Sequence, residues 1–142
     1  SHQGISAVEY ALLGKSAEPQ LVPACVFALL EIASVGMTLD EAKAAGCASA
    51  VESKFAYAGN GKAASMGATK GFAKVVCDQA SGRILGAHIV GESASTIIHE
   101  AVMAIRAGLT AKTAGETIHA HPTLSETLME AFLGAAGSAV HG

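Results

Sequence analysis

The stretch "KGFAKVVCDQASGRILGAHIVG", Lys70–Gly91, predicts a β-hairpin. Two runs rich in β-branched and other apolar residues flank the segment "DQASG", whose residue types are typical of turns. The earlier run "CASAVESKFAYA" (47–58) has the same strand-like composition. The glycine-bearing segment "GNGKAASMG" (59–67) lies between them and is predicted to be a hairpin loop. These segments therefore predict consecutive antiparallel strands.

Further elements lie on both sides of this group of strands. The run "LVPACVFALL" (21–30) predicts another strand, and Thr38 and Glu41 have the spacing of a capping box that starts a short helix. Helical spacing of apolar residues occurs in "GISAVEYALLGK" (4–15), "SASTIIHEAVMAIRAG" (93–108) and "TLSETLMEAFLGAAGSAV" (123–140). Since most helices follow the strands, the predicted fold class is α+β, an antiparallel sheet with helices packed on one side.

The composition limits the partners of the chain. The 142 residues are 51% hydrophobic and only 15% charged, so we expect some apolar surface to face another subunit or domain. A net charge of −3 without a basic run predicts no nucleic-acid partner. No apolar run approaches the roughly 18 residues that cross a membrane, and the N-terminus has no signal-peptide pattern. The sequence therefore predicts no membrane partner.

Several motifs for chemistry are excluded by their spacing. "GNGKAASMG" is not a phosphate-binding loop, because Lys62 is followed by Ala63 where that loop needs serine or threonine. Ser125 lacks the strand–turn–helix motif of a nucleophilic serine. The chain has three widely spaced cysteines, Cys25, Cys47 and Cys77. Without a C-x-x-C pair, they are interpreted as reduced thiols of a cytosolic or similarly reducing compartment.

The segment "HAHPTLSE", His119–Glu126, contains the candidate site residues. Pro122 disfavours helical backbone for the residue before it, so His121 is expected at a chain reversal. Thr123 and Glu126 have capping-box spacing, which favours a structural cap. Alternatively, the Glu126 carboxylate accepts a hydrogen bond from one nitrogen of His121. That arrangement would fix the tautomer and leave the other nitrogen free to take a proton. Spacing alone leaves both interpretations open.

A metal site is the third interpretation of this segment. His119 and His121 supply only half of a tetrahedral set of ligands, and neither aspartate of the chain lies near a second cluster of ligands. No metal is therefore predicted. The remaining internal histidines, His88 in a strand and His99 in a helix, are interpreted as packing or surface residues.

"HAHPTLSE" resembles the C-terminal signature of the dihydrolipoamide dehydrogenases, flavoproteins of the pyridine nucleotide–disulfide oxidoreductase family. The first helical segment is similar to the last helix of that family's FAD-binding part, and "VPACVF…EIASVG" (22–36) is similar to the entry into its interface domain. "GRILGAHIVG" (82–91) and "IIHEAVMAI" (97–105) match the central hairpin and long helix of that domain. The resemblance covers nearly the whole chain. It implies that residues 1–15 are a remnant of the terminal helix of the FAD-binding part and that residues 16–142 are the dimerisation domain.

The resemblance also implies a function and a set of site residues. In that family this domain forms the homodimer, and its histidine–glutamate pair reaches into the partner's active site. His121 would then take a proton from a dihydrolipoamide thiol, and Glu126 would orient and polarise it. The backbone of His121 and Pro122, joined by a cis bond, would approach the partner's flavin.

Cofactors and location follow from the same resemblance. The parent enzyme uses FAD and NAD and a redox cysteine pair, but the sequence contains neither dinucleotide fingerprint, and its three cysteines do not match that pair. Alone, the chain is expected to dimerise, to bind no cofactor and to oxidise no lipoamide. The implied location is cytoplasmic, or the mitochondrial matrix if the source is eukaryotic.

The sequence departs from the family pattern before Glu31. A threonine and a proline are usual there, but the chain has Ala28, Leu29 and Leu30. Segments 61–72 and 110–117 also carry small residues where charged or larger ones are expected. Two interpretations are open: a divergent natural sequence, or a re-engineered structural building block that co-assembles with a second protein chain through an apolar surface. Mercuric- or glutathione-reductase-like parentage is less well supported, because of His119 and the "TLSE" after Pro122.

Overall fold

The computed structural model describes residues 2–14 and 20–138. Its strands form one antiparallel sheet in the order β1-β2-β5-β4-β3. The strands are β1 (Ala24–Val26), β2 (Ile32–Gly36), β3 (Ala50–Ala56), β4 (Phe72–Asp78) and β5 (Ile84–Val90). The helices are α1 (His2–Leu13), α2 (Leu39–Ala44), α3 (Gly61–Met66), α4 (Ala94–Arg106), α5 (Ala111–Glu116) and α6 (Glu126–Ala135). This architecture confirms the predicted α+β class.

The predicted hairpin is the centre of the sheet. β4 and β5 pair antiparallel from Phe72↔Val90 to Cys77↔Ile84, with an irregularity between Val76 and Cys77. β3 pairs with the other edge of β4, also antiparallel. Central strands of this kind are buried on at least one face, which accounts for their β-branched composition.

Helices α4 and α6 cover one face of the sheet, as predicted. α4 packs on β2 and β5, and α6 packs on β3 and β4. Strand positions such as Val75, Ala87 and Ile89 are fully buried against Ile98 and Phe132 of these helices. The short helix α2 lies elsewhere. It packs at one end of the opposite face, where Ala42 contacts a second apolar cluster that contains Val76.

The predicted strand 21–30 was too long. β1 ends at Val26, and residues 28–30 form a bend that leads into β2. Leu29 is fully exposed in this bend. The run is apolar in composition, but only its middle finds a paired strand, since Val26 pairs with Ile32 and the chain must turn between them.

The predicted loop between β3 and β4 contains a helix. The Asn60 side chain accepts a hydrogen bond from the Ala63 backbone N–H and so starts α3. Gly67 ends α3 in the left-handed conformation, with φ 67°, which glycine adopts without a steric cost. The glycine-bearing segment that was predicted to be a loop therefore contains a helix that begins at Gly61. As the N-cap residue of α3, Asn60 lies beside the candidate site.

Candidate acid–base site at the His121–Pro122 turn

The candidate site lies in the connection between α5 and α6, residues 117–125. The His121–Pro122 peptide bond in this connection is cis, a state that only proline makes common. His121 lies on the outside of the turn, and 78% of its side chain is exposed. A cleft of about 160 Å³ opens beside it. Its lining includes Phe55, Asn60, Glu126 and Met129.

Glu126 combines the two roles that spacing left open. Its Oε1 lies 2.9 Å from Nδ1 of His121, and its Oε2 accepts a hydrogen bond of 2.7 Å from the Thr123 backbone N–H. The second contact is half of the predicted capping box. The other half is not formed between these two described residues, and the Thr123 hydroxyl donates to the Ala120 carbonyl. α6 accordingly begins at Glu126, three residues later than predicted, with Ser125 as its N-cap residue.

The hydrogen bonds keep the Glu126 carboxylate ionised. Partial burial alone would raise its pKa, but the Thr123 N–H and the His121 ring outweigh this effect. The net result is a pKa below the ordinary value of 4.5. Because a carboxylate can only accept, the contact with His121 requires a proton on Nδ1. The neutral ring then has its lone pair on Nε2, the nitrogen that Glu126 does not bind.

Asn60 holds the far end of the turn. Only 5% of this residue is exposed. Its Oδ1 accepts from the Ala63 N–H, and its Nδ2 donates to the Thr123 carbonyl at 3.0 Å. Thr123 is therefore held from two sides, through its N–H by Glu126 and through its carbonyl by Asn60. Sequence reasoning missed Asn60. The only signal in the sequence is that Asn60 directly precedes Gly61, the first residue of α3.

The other histidines lie in separate environments. His119 binds Glu100 and a backbone carbonyl rather than sharing a ligand with His121. His99 is exposed on α4, and His88 is half-buried in β5, where burial, together with the nearby Lys74, lowers its pKa. Across residues 2–14 and 20–138, no group of three or more histidine, cysteine, aspartate or glutamate residues is placed to hold a metal ion.

The three cysteines are free thiols that lie apart from the turn. Cys25 and Cys47 are half-buried and Cys77 is buried in the sheet. Burial, with Asp78 as a smaller contribution, raises the pKa of Cys77. Its Sγ contacts the Ala135 carbonyl at 3.4 Å, so this thiol belongs to the core.

Residues 22–132 match the family model of the pyridine nucleotide-disulphide oxidoreductase dimerisation domain. The chain is 44% identical over 143 residues to a dihydrolipoyl dehydrogenase of Bacillus subtilis, covering 99% of this chain and 30% of that protein. It is 46% identical over 134 residues to the dihydrolipoyl dehydrogenase of Chlorobaculum tepidum, covering 92% of this chain and 28% of that protein.

Solved structures agree with this assignment. LpdA from Mycobacterium tuberculosis superimposes with a TM-score of 0.77 at 29% identity, covering 88% of this chain and 28% of that one. The HOCl-induced flavoprotein disulfide reductase RclA from Escherichia coli gives 0.78 at 29% identity, covering 88% of this chain and 29% of that one. The chain belongs to the dimerisation-domain family of the pyridine nucleotide-disulphide oxidoreductases.

The chain spans about 30% of the length of the curated relatives it matches. The relatives give no support to the alternative of a re-engineered building block. In the part of the chain that the structure describes, no helix is long and apolar enough to cross a membrane.

The Glu126 interactions predict a pH-dependent contribution to stability. At pH 7, Glu126→Gln should lower the free energy of unfolding by about 1–2 kcal/mol, because glutamine offers one acceptor to two donors. The pKa of Glu126 is lowered by folding, so this contribution is present above pH 4.5 and is lost as the pH falls through the lower folded-state value. Urea unfolding of both proteins between pH 7 and pH 3 measures the difference.

Glu116→Gln is the matched control for this prediction. Glu116 lies on α5 with 59% of its side chain exposed, and its ion pair with Lys112 is 3.8 Å long. Such a pair contributes little, so the control should stay within about 0.5 kcal/mol of the parent. A difference between parent and Glu126→Gln that persists unchanged at pH 3 would contradict the assignment to the ionised carboxylate.

Proposed function

We propose that the chain forms a homodimer and that His121 is the acid–base group of a dihydrolipoamide-oxidising site to which the partner subunit contributes. The observation that carries this proposal is the contact of 2.9 Å between His121 Nδ1 and Glu126 Oε1, in a ring whose side chain is 78% exposed. Glu126 fixes the ring through one nitrogen, which leaves the other available to a reactant from outside the chain.

The chemistry that fits this arrangement is the deprotonation of a thiol. Nε2 of His121 takes the proton of one dihydrolipoamide thiol, and the resulting thiolate attacks a disulfide of the partner subunit. One S–S bond forms as another breaks, and the released sulfur leaves with the electron pair. The imidazolium that forms is stabilised by the Glu126 carboxylate, whose pKa is already lowered by its hydrogen bonds. Glu126 is thus a positioning and polarising residue.

FAD and NAD belong to the proposal as cofactors of the complete enzyme. When bound, FAD and NAD would supply the redox chemistry that follows the thiol–disulfide exchange, and His121 and Pro122 are the residues of this chain that would lie beside the flavin. His121 and Pro122 are both exposed, which fits the close approach of a flat ring to the backbone of this turn. The residues of this chain contribute to such a site by holding the proton acceptor, His121, at the edge of the site.

Residues 1–15 are proposed as the end of the FAD-binding part and 16–142 as the dimerisation domain. The boundary between them lies outside the described residues.

The homodimer is supported by the match to a family of dimerisation domains. Apolar side chains are also exposed: Ile118, just before the turn, is 97% exposed, and Met103 on α4 and Leu109 after α4 are exposed as well. Exposed apolar side chains of this size are typical of surfaces that another protein covers.

The three free cysteines also favour a reducing compartment, so we propose a cytoplasmic location, or the mitochondrial matrix in a eukaryote.

The oligomeric state is the first test of this proposal. In a concentration series measured by light scattering, the purified chain should have twice its mass of 14.2 kDa. The physical reason is the burial of apolar surface by a two-fold interface. A monomer at all concentrations would contradict the homodimer, as would a large assembly of many copies.

The role of His121 is tested in a chimera. The corresponding domain of the Bacillus subtilis dihydrolipoyl dehydrogenase, 44% identical, is replaced by this chain, and the oxidation of dihydrolipoamide is followed by NADH formation. The chimera should be active, and His121→Gln should lower kcat about 10²–10⁴-fold, the range for loss of a general base.

His99→Gln is the matched control for the chimera. His99 is exposed on α4 and makes only a long contact of 3.4 Å with the Thr96 carbonyl, so its replacement should leave kcat unchanged. An active chimera that keeps its rate after His121→Gln would contradict the acid–base role. The absorbance of bound flavin checks that all variants are folded and loaded.

A further inference from the structure

A second histidine–carboxylate pair ties the same turn to α4. His119 Nε2 lies 2.7 Å from Glu100 Oε1, and His119 Nδ1 lies 2.7 Å from the Thr117 carbonyl oxygen. Only 8% of the His119 side chain is exposed, against 78% for His121. The buried ring is thus held at both nitrogens, two residues before the exposed one.

The geometry of this contact fixes where its protons lie. A backbone carbonyl can only accept, so Nδ1 of His119 must carry a proton. Nε2 faces a carboxylate oxygen, and two lone pairs at 2.7 Å would repel each other, so a proton also lies between Nε2 and Glu100 Oε1. The pair is therefore a short hydrogen bond between a buried ring and a carboxyl group that is 35% exposed.

The exposed ring of His121 has little packing of its own to hold it. Its position is set by the backbone of the turn, which is anchored on one side at Thr123 by Asn60 and Glu126. On the other side, the buried anchor nearest to His121 is His119. A turn held at one end only would let the His121 ring move away from Glu126.

We propose that Glu100 and His119 are positioning residues, which hold the turn so that His121 Nδ1 meets the Glu126 carboxylate. This goes beyond the proposed function, because it assigns a task to two residues that have no part in the proposed proton transfer. It concerns the geometry of this chain and is tested on the chain itself.

The test is amide hydrogen exchange in the ¹⁵N-labelled chain. The reporter is the Thr123 N–H, which donates to Glu126 Oε2. Glu100→Ala removes the group that Nε2 of His119 contacts, so that only the ring's contact with the Thr117 carbonyl can persist. We expect the Thr123 amide to exchange about tenfold faster, in line with the loss of one hydrogen bond. His119→Gln should have a similar effect, and the double variant should be no faster than either single variant, since all remove one interaction.

The controls separate positioning from general stability. Amides of Val75 and Ala87, in the central hairpin, should keep their exchange rates, and Glu116→Gln should leave Thr123 unchanged. Acceleration of the central amides by the same factor as Thr123 would overturn the proposal, because the pair would then stabilise the whole fold. An unchanged Thr123 amide in Glu100→Ala, with the His119 ring signals shifted, would overturn it as well.

This test is independent of the acid–base role. If His121→Gln leaves the chimera active, the proposed function fails while the exchange experiment still reports on the turn. If the exchange experiment fails, the loss of activity on replacing His121 is still expected.

Discussion

The two oxygens of one carboxylate connect the backbone of the turn with the ring that it presents. Glu126 holds the Thr123 N–H with Oε2 and the His121 ring with Oε1, so the start of α6 and the orientation of the imidazole depend on the same group. The carboxylate lies at the first residue of a helix that packs on β3 and β4. The packed helix therefore holds the exposed His121 side chain in place through Glu126. In the proposed function, structural capping and acid–base chemistry are two uses of one carboxylate.

Most of the fold could be predicted from local patterns. The hairpin of β4 and β5, the capping box of α2 and the long helix α4 each have a sequence signal that lies within the element itself. The errors occurred where a signal had two meanings. Asn60-Gly61 is typical of a turn but here starts α3, and the apolar run 21–30 holds only three residues of strand. In both places the outcome is set by short-range contacts, since Asn60 caps α3 through Ala63 and β1 ends where the chain turns to pair Val26 with Ile32.

The candidate site was predictable only in its local part. The spacing from His121 to Glu126 and the proline between them could be read from the sequence, and the resemblance gave the pair its expected role. Asn60 contacts Thr123 across 63 positions, and His119 contacts Glu100 across 19. No periodicity or spacing rule links residues at such separations, because the contacts arise from the packing of α3 and α4 around the turn. The residues that hold the site were therefore visible only in three dimensions.

The most direct test of this account is the tautomer of His121. Long-range ¹H–¹⁵N spectra of the ring, recorded on the intact chain at a pH where the ring is neutral, distinguish a proton on Nδ1 from one on Nε2. The account predicts the Nδ1–H form in the parent chain and a loss of this preference in Glu126→Gln. A parent chain in which the proton resides mainly on Nε2 would contradict it, since the nitrogen proposed to receive a thiol proton would already carry one.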